Sequence, residues 1–126
     1  MSRASAAETY RRNSVLTASP EKLIKMLYDG AIRNLEMSRQ ALSDPARTHS
    51  AEVGECLGKA LSIIGELKTA LDHERGGEIS AKLETLYEYS MDQLSQANIS
   101  RSPEPVENSL QVMRTLKEGW DAVIPS

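Results

Sequence analysis

Two histidines, His49 and His73, and one cysteine, Cys56, are the side chains of this 126-residue chain best suited to metal, proton-transfer or thiol chemistry. A helical di-iron centre is built from Glu-x-x-His pairs that face inward. The residues three before the histidines are Ala46 and Ala70, so that motif is absent. Asp72-His73-Glu74 gathers oxygen and nitrogen donors, but adjacent donors at a helix end rarely converge on one ion, and a solvated helix terminus is expected. Cys56 has no histidine near it in sequence and falls on an apolar stripe. That is the setting of a small buried hydrophobe rather than an activated thiolate. Gly76-Gly77-Glu78 can offer backbone N–H groups to an anion, yet two glycines more simply supply the backbone angles of a chain reversal. There is no phosphate-binding glycine loop, nucleophile elbow or zinc-type cysteine spacing. The expectation is a protein that is not an enzyme and uses no metal or cofactor.

Two helical alternatives need weighing. A histidine phosphotransfer domain is also a four-helix bundle, with an exposed mid-helix histidine followed at a fixed distance by a basic residue and a glycine. His73-Glu74-Arg75-Gly76 has the ingredients, but Arg75 and Gly76 come one position early. Gly77 directly after them should also end the helix where that class continues it. A helix-turn-helix DNA binder needs a basic recognition helix. The third helical segment instead carries Glu78, Glu84, Glu88 and Asp92 against Lys82 and Arg101.

Composition sets the frame for these elements. Hydrophobic residues make up 40% and charged residues 26% of the chain, as in an ordinary folded domain. A net charge of −3 gives no overall attraction for nucleic acid. Basic residues do gather near the start, where Arg3, Arg11, Arg12, Lys22 and Lys25 outnumber Glu8 and Glu21. A single cysteine excludes an internal disulfide and fits a reducing cytosol. No apolar run approaches membrane-spanning length, and the polar opening Met1-Ser2-Arg3-Ala4-Ser5 does not resemble a signal peptide. A cytoplasmic protein without membrane insertion is expected.

Hydrophobic spacing predicts an all-α fold. Ser19-Pro20-Glu21 carries a capping residue, a proline at the first helical position and an acid at the positive end of the helix dipole. Ile24, Leu27, Ala31, Leu35, Ser38 and Leu42 follow in steps of three and four. Leu23, Met26, Gly30, Met37 and Ala41 form an adjacent face, so this helix, about 20–43, is expected to be covered over a wide arc. Asp44-Pro45 ends it, because a residue before proline is pushed out of helical geometry. In a second helix, about 50–72, Val53, Leu57, Ala60, Ile64, Leu67 and Leu71 alternate steps of four and three. Gly76-Gly77 is expected to make the next turn. A third helix over about 78–100 carries Ile79, Leu83, Leu86, Tyr87, Met91, Leu94 and Ala97. Ser102-Pro103-Glu104 then opens a fourth, about 103–123, with Val106, Leu110, Met113, Trp120 and Ile124 inward. Four helices joined by short loops predict an antiparallel up-down bundle over 19–124. Residues 1–18 are expected to form a mobile N-terminal arm or a short helix over about 4–12, since so short a segment is marginal unless it docks on something.

Apolar residues remain beside these seams: Cys56 and Ile63, part of the Tyr87/Met91 face, and Val112. Together they are the expected lining of a groove for an amphipathic segment of a partner. Tyr10, Val15 and Leu16 on the arm suit a cover for that groove.

The ordered pattern of residues resembles a known family. Tyr10, Val15, Thr17-Ala18-Ser19-Pro20, Lys22-Leu23-Ile24 and Met26-Leu27-Tyr28-Asp29-Gly30-Ala31 are similar to the opening of the bacterial flagellar export chaperone FliS family. Leu71-Asp72, Glu74, Gly76-Gly77-Glu78-Ile79, Leu83, Leu86-Tyr87 and Tyr89 resemble its centre, and Leu116 and Trp120 its end. The chain departs from many members at Lys82 and contains no phenylalanine. The resemblance implies a cytoplasmic chaperone that binds the disordered C-terminal region of flagellin, prevents premature polymerisation and delivers it to the flagellar type III export gate. An anti-sigma factor is a further candidate partner, and no cofactor is implied. Tyr10 matches the family's arm tyrosine, to which shielding or gate docking would fall. Deleting residues 1–17 is expected to leave the helical circular-dichroism signal intact while altering flagellin affinity or export. Loss of helical signal would count against a mobile arm.

Overall fold

The computed structural model describes residues 20–123. The expected arm, with Tyr10, Val15 and Leu16, lies outside the described residues, as do the Ser19 cap and Ile124. Four helices follow one another: α1 (Pro20–Leu42), α2 (Ala51–Thr69), α3 (His73–Ser100) and α4 (Glu104–Val123). There is no strand among the described residues. Each helix packs against its neighbour in sequence and α4 closes the ring against α1. This is a four-helix bundle, as the spacing predicts. Along α1 and α4 the paired residues run in opposite directions, Lys25 to Asp121, Asp29 to Lys117 and Glu36 to Arg114, so these two helices are antiparallel.

The core follows the periodicity closely. Val53, Leu57, Ala60, Ile64 and Leu67 on α2 are all buried, together with Ala31, Leu35, Leu94, Ala97, Val106, Leu110 and Met113. The wide arc expected on α1 is narrower, because Met26 and Met37 stand exposed. Gly30, on that same face, allows α2 to come close: a Cβ there would lie 3.2 Å from Ile63 Cδ1.

At one end of the bundle, Arg101 joins two loops. Its backbone takes the left-handed conformation (φ 54°, ψ 40°). Its guanidinium donates to the carbonyls of Asn98, Thr48 and Ser50 at 3.0, 3.3 and 3.0 Å. The α1–α2 and α3–α4 connections are thereby tied together.

The α2–α3 connection differs from expectation. α2 ends at Thr69, three residues early, and the chain reverses through residues 70–72 rather than at the glycine pair. Asp72 makes this possible. Its carboxylate accepts from the N–H groups of Glu74 and Arg75, both at 3.1 Å, and caps α3 at its new start. Its carbonyl accepts from Gly76 N–H at 2.8 Å and from the Ser80 hydroxyl at 3.0 Å. Gly76-Gly77 therefore forms a kink inside α3, with Gly77 at φ 51°, ψ −123°. Ser80 presses so closely on Gly76 that a Cβ there would lie 2.8 Å from its Cβ.

These positions separate two kinds of glycine. Gly77→Ala is expected to destabilise the bundle by about 1–3 kcal/mol, since it forces a side chain into backbone angles open only to glycine. Gly58→Ala, at an exposed helical site with nothing nearby, should stabilise it by about 0.4–1 kcal/mol. Urea unfolding of both variants checks the pair; similar midpoints would contradict the kink.

Candidate partner-binding surface

Three helices contribute aromatic side chains to one point inside the bundle. Tyr28 of α1 is completely buried and Tyr87 of α3 is 2% exposed. Their hydroxyl oxygens lie 2.5 Å apart, with ring centroids at 6.5 Å and ring planes tilted by 53°. The indole N–H of Trp120 on α4 donates to the Tyr28 hydroxyl at 3.1 Å. Burial is the main cause that raises both phenol pKa values, so both are neutral at physiological pH. The hydrogen bonds at Tyr28 work against that shift.

Beside this cluster opens a cavity of about 270 Å³. Ile24, Leu67, Leu71, Leu83, Tyr87 and Trp120 supply most of its apolar wall. Asp72, Arg75 and Gly76 from the start of α3, with Ile79 just past the kink, also line it. Ile79 was expected in the bundle seam; it is instead 69% exposed, because past the kink at Gly77 the inward position falls on its neighbour Ser80, which is 5% exposed. The opening of α3 thus forms the rim of an apolar recess.

The residues singled out from the sequence are distributed as follows. Cys56 is 5% exposed, and burial, ahead of the nearby Glu52 carboxylate, pushes its thiol pKa up. It is a core thiol rather than a nucleophile. Tyr87 is likewise inside, so both residues shape the surface from beneath. Ile63, Met91 and Val112 are half-buried against the core. Ile63 and Met91 face different neighbours. Ile63 meets α1 at Gly30, whereas Met91 Cε lies 4.0 Å from the Cβ position of Gly65 on another side of α2. His73 is the first residue of α3, and its Nε2 is 3.5 Å from Glu84. It is not the mid-helix histidine that phosphotransfer requires. Among the described residues no three His, Cys, Asp or Glu side chains gather as a metal site would need. No helix among them is long and apolar enough to cross a membrane.

Sequence spacing carries the signal for Tyr28, which stands three before Ala31 and seven before Leu35, on their face. Trp120 was placed inward, but nothing in a linear pattern pairs an indole with a hydroxyl 92 residues away. The interface of α1 with α4 next to this cluster is charged. Asp121 receives Lys25 at 3.2 Å and Lys117 at 2.9 Å, and Lys117 also reaches Asp29 at 3.5 Å. Glu36 and Arg114 pair further along.

Comparison with known proteins gives a consistent result. The family described as "Flagellar protein FliS" matches residues 2–126. A protein of Vibrio cholerae named flagellar secretion chaperone FliS is 34% identical over 122 residues, covering 94% of this chain and 88% of that one. The flagellar secretion chaperone FliSB of Pseudomonas aeruginosa is 38% identical over 109 residues, covering 86% and 84%. The FliS of Salmonella typhimurium is 36% identical over 120 residues, covering 94% and 87%.

The charged seam carries a pH signature. Hydrogen bonds from Lys117, then Lys25, hold the Asp121 carboxyl below its usual 3.8. A lowered folded-state value means that its contribution is present above 3.8 and is lost as pH falls through the lower value. Lys117 is raised above 10.5, chiefly by Asp121, so its contribution is lost only above that pH. Amide exchange in the last two turns of α4 is therefore expected to accelerate relative to α2 below pH 3.8. The Asp121→Asn variant should not show this step. A uniform acid response along all four helices would contradict the assignment.

Proposed function

The chain belongs to the FliS family of flagellar secretion chaperones, and from that membership we propose that it holds newly made flagellin by the flagellin C-terminal region. The client segment is disordered before binding and orders on the bundle. Held in this way it is withheld from filament assembly and brought to the export gate of the flagellar type III apparatus from the cytoplasm. The residue-level observation that supports this reading is the apolar recess of about 270 Å³ between α1, α2, α3 and α4, rimmed by an exposed isoleucine.

Ordering a disordered client costs about 2–5 kcal/mol of the gross interaction energy, so an extended contact is required. Half-buried Ile63, Met91 and Val112 supply further apolar surface around the bundle. We assign residues 1–18, through Tyr10, Val15 and Leu16, the role of covering apolar surface when no client is present. Export-gate docking is the alternative role for Tyr10. An anti-sigma factor is a further candidate partner. The chaperone acts by holding alone and performs no catalysis.

The single tryptophan gives a direct test, because Trp120 lines the recess. Titration of the full chain with a peptide from the flagellin C-terminus is expected to change its emission saturably. Ile63→Glu or Val112→Glu should weaken that binding roughly tenfold, equivalent to about 1.4 kcal/mol, with the melting temperature little changed. A large drop in melting temperature would instead assign these residues to the core. Absence of binding to the unsubstituted chain would overturn the function.

A further inference from the structure

The buried aromatic cluster has three protons to donate and makes two hydrogen bonds within itself. Trp120 gives its indole proton to Tyr28, and the two tyrosine hydroxyls share one bond. Each phenol has one proton to donate, so a mutual bond uses only one of the two. Neither hydroxyl has a further partner among the described residues. Two arrangements are open. If Tyr87 donates to Tyr28, Tyr28 accepts twice and its own proton is stranded on a completely buried side chain that is not among the residues lining the recess. If Tyr28 donates to Tyr87, the bonds run head to tail from indole to phenol to phenol, and each polarises the next. The spare proton then belongs to Tyr87, which lines the recess. The second arrangement leaves a strengthened donor with a place to act, and the first leaves an unsatisfied one sealed inside.

We propose that the Tyr87 hydroxyl is a hydrogen-bond hook, donating to a carbonyl oxygen of the client segment that fills the recess. The inference rests on the client binding proposed above and assigns this residue its polar contact. The chemistry of the recess narrows what that segment can be. A cavity of about 150 Å³ already accommodates benzene, so 270 Å³ takes one or two apolar side chains. Carbonyls within a helix are already engaged by N–H groups four residues on. The acceptor must therefore come from a non-helical stretch or the last turn of a client helix, where carbonyls are free. Tyr28 and Trp120 are positioning residues that orient the hydroxyl of Tyr87.

The test uses the full chain and the flagellin C-terminal peptide. Tyr87→Phe removes the hydroxyl and keeps the ring, so the melting temperature without peptide serves as the folding control. One hydrogen bond corresponds to roughly a 3- to 10-fold loss of affinity, and that loss is the expected result. Equal affinity of the variant and the unsubstituted chain would overturn the hook and leave the client function standing. Tighter binding by the variant would show that the hydroxyl holds the chain's own residues 1–18 instead, which also overturns it. Failure of the unsubstituted chain to bind removes the proposed function and the hook together. If Tyr87→Phe does not fold, the hydroxyl proton of Tyr87 in the unsubstituted protein decides by NMR. A slowly exchanging resonance that appears on peptide addition supports the hook, and its absence overturns it.

Discussion

The hydroxyl bond between Tyr28 and Tyr87 spans the diagonal of the bundle. α1 and α3 are not neighbours in the ring of helices, and this bond joins them across the interior. Two phenols meeting end to end set the separation of those helices at that level, whereas leucine and alanine fill the middle with Leu35, Leu94 and Ala97. Trp120 adds α4 to the same point. Aromatic length buries a large apolar area while leaving a polar tip that must find a partner. The recess lies where that requirement meets the reversal between α2 and α3.

The helix interfaces around this point differ in chemistry. α1 meets α4 through a ladder of ion pairs, exposed enough that each contributes little alone. Its role is better described as register: Lys25, Asp29 and Glu36 on α1 each face an opposite charge on α4, in Asp121, Lys117 and Arg114. α1 meets α2 through the close approach at Gly30. At the start of α3, Asp72 accepts four hydrogen bonds from its side chain and carbonyl combined. Those bonds hold a glycine-bearing stretch against Ser80. The rim of the recess is thereby built from backbone geometry rather than from bulky side chains, which leaves its mouth open beside Ile79.

Much of the fold was legible in the sequence because its cause is local. The alternating steps of α2 give one continuous buried stripe, and Asp44-Pro45 stops α1 by steric conflict within two residues. The position of the α2–α3 reversal was misplaced because two glycines admit both a turn and a kink. An aspartate able to cap five residues ahead of Gly77 settled the competition. Met26 and Met37 have the spacing of a buried face, but Gly30 brings α2 close between them and no helix covers their outer side. The candidate site was less legible. Cys56 and Tyr87 were expected to line a groove and are instead buried, Tyr87 within the core cluster itself, because a linear pattern does not say whether such residues end inside or on a groove. Ile63 and Met91 share a helical-bundle surface only if the rotation of α2 relative to α3 is known. The Trp120–Tyr28–Tyr87 connection depends on three helices meeting at one level, which no single segment encodes.

The central claim is that the apolar recess of a family chaperone receives a disordered flagellin tail. Amide hydrogen exchange of the full chain, measured with and without intact flagellin, addresses it most directly. The account predicts slowed exchange concentrated at residues 71–83 and in the last turns of α4, where the recess is walled, with the middle of α2 unchanged. Slowed exchange confined to the opposite end, around Arg101 and the α1–α2 connection, or none at all, would contradict it.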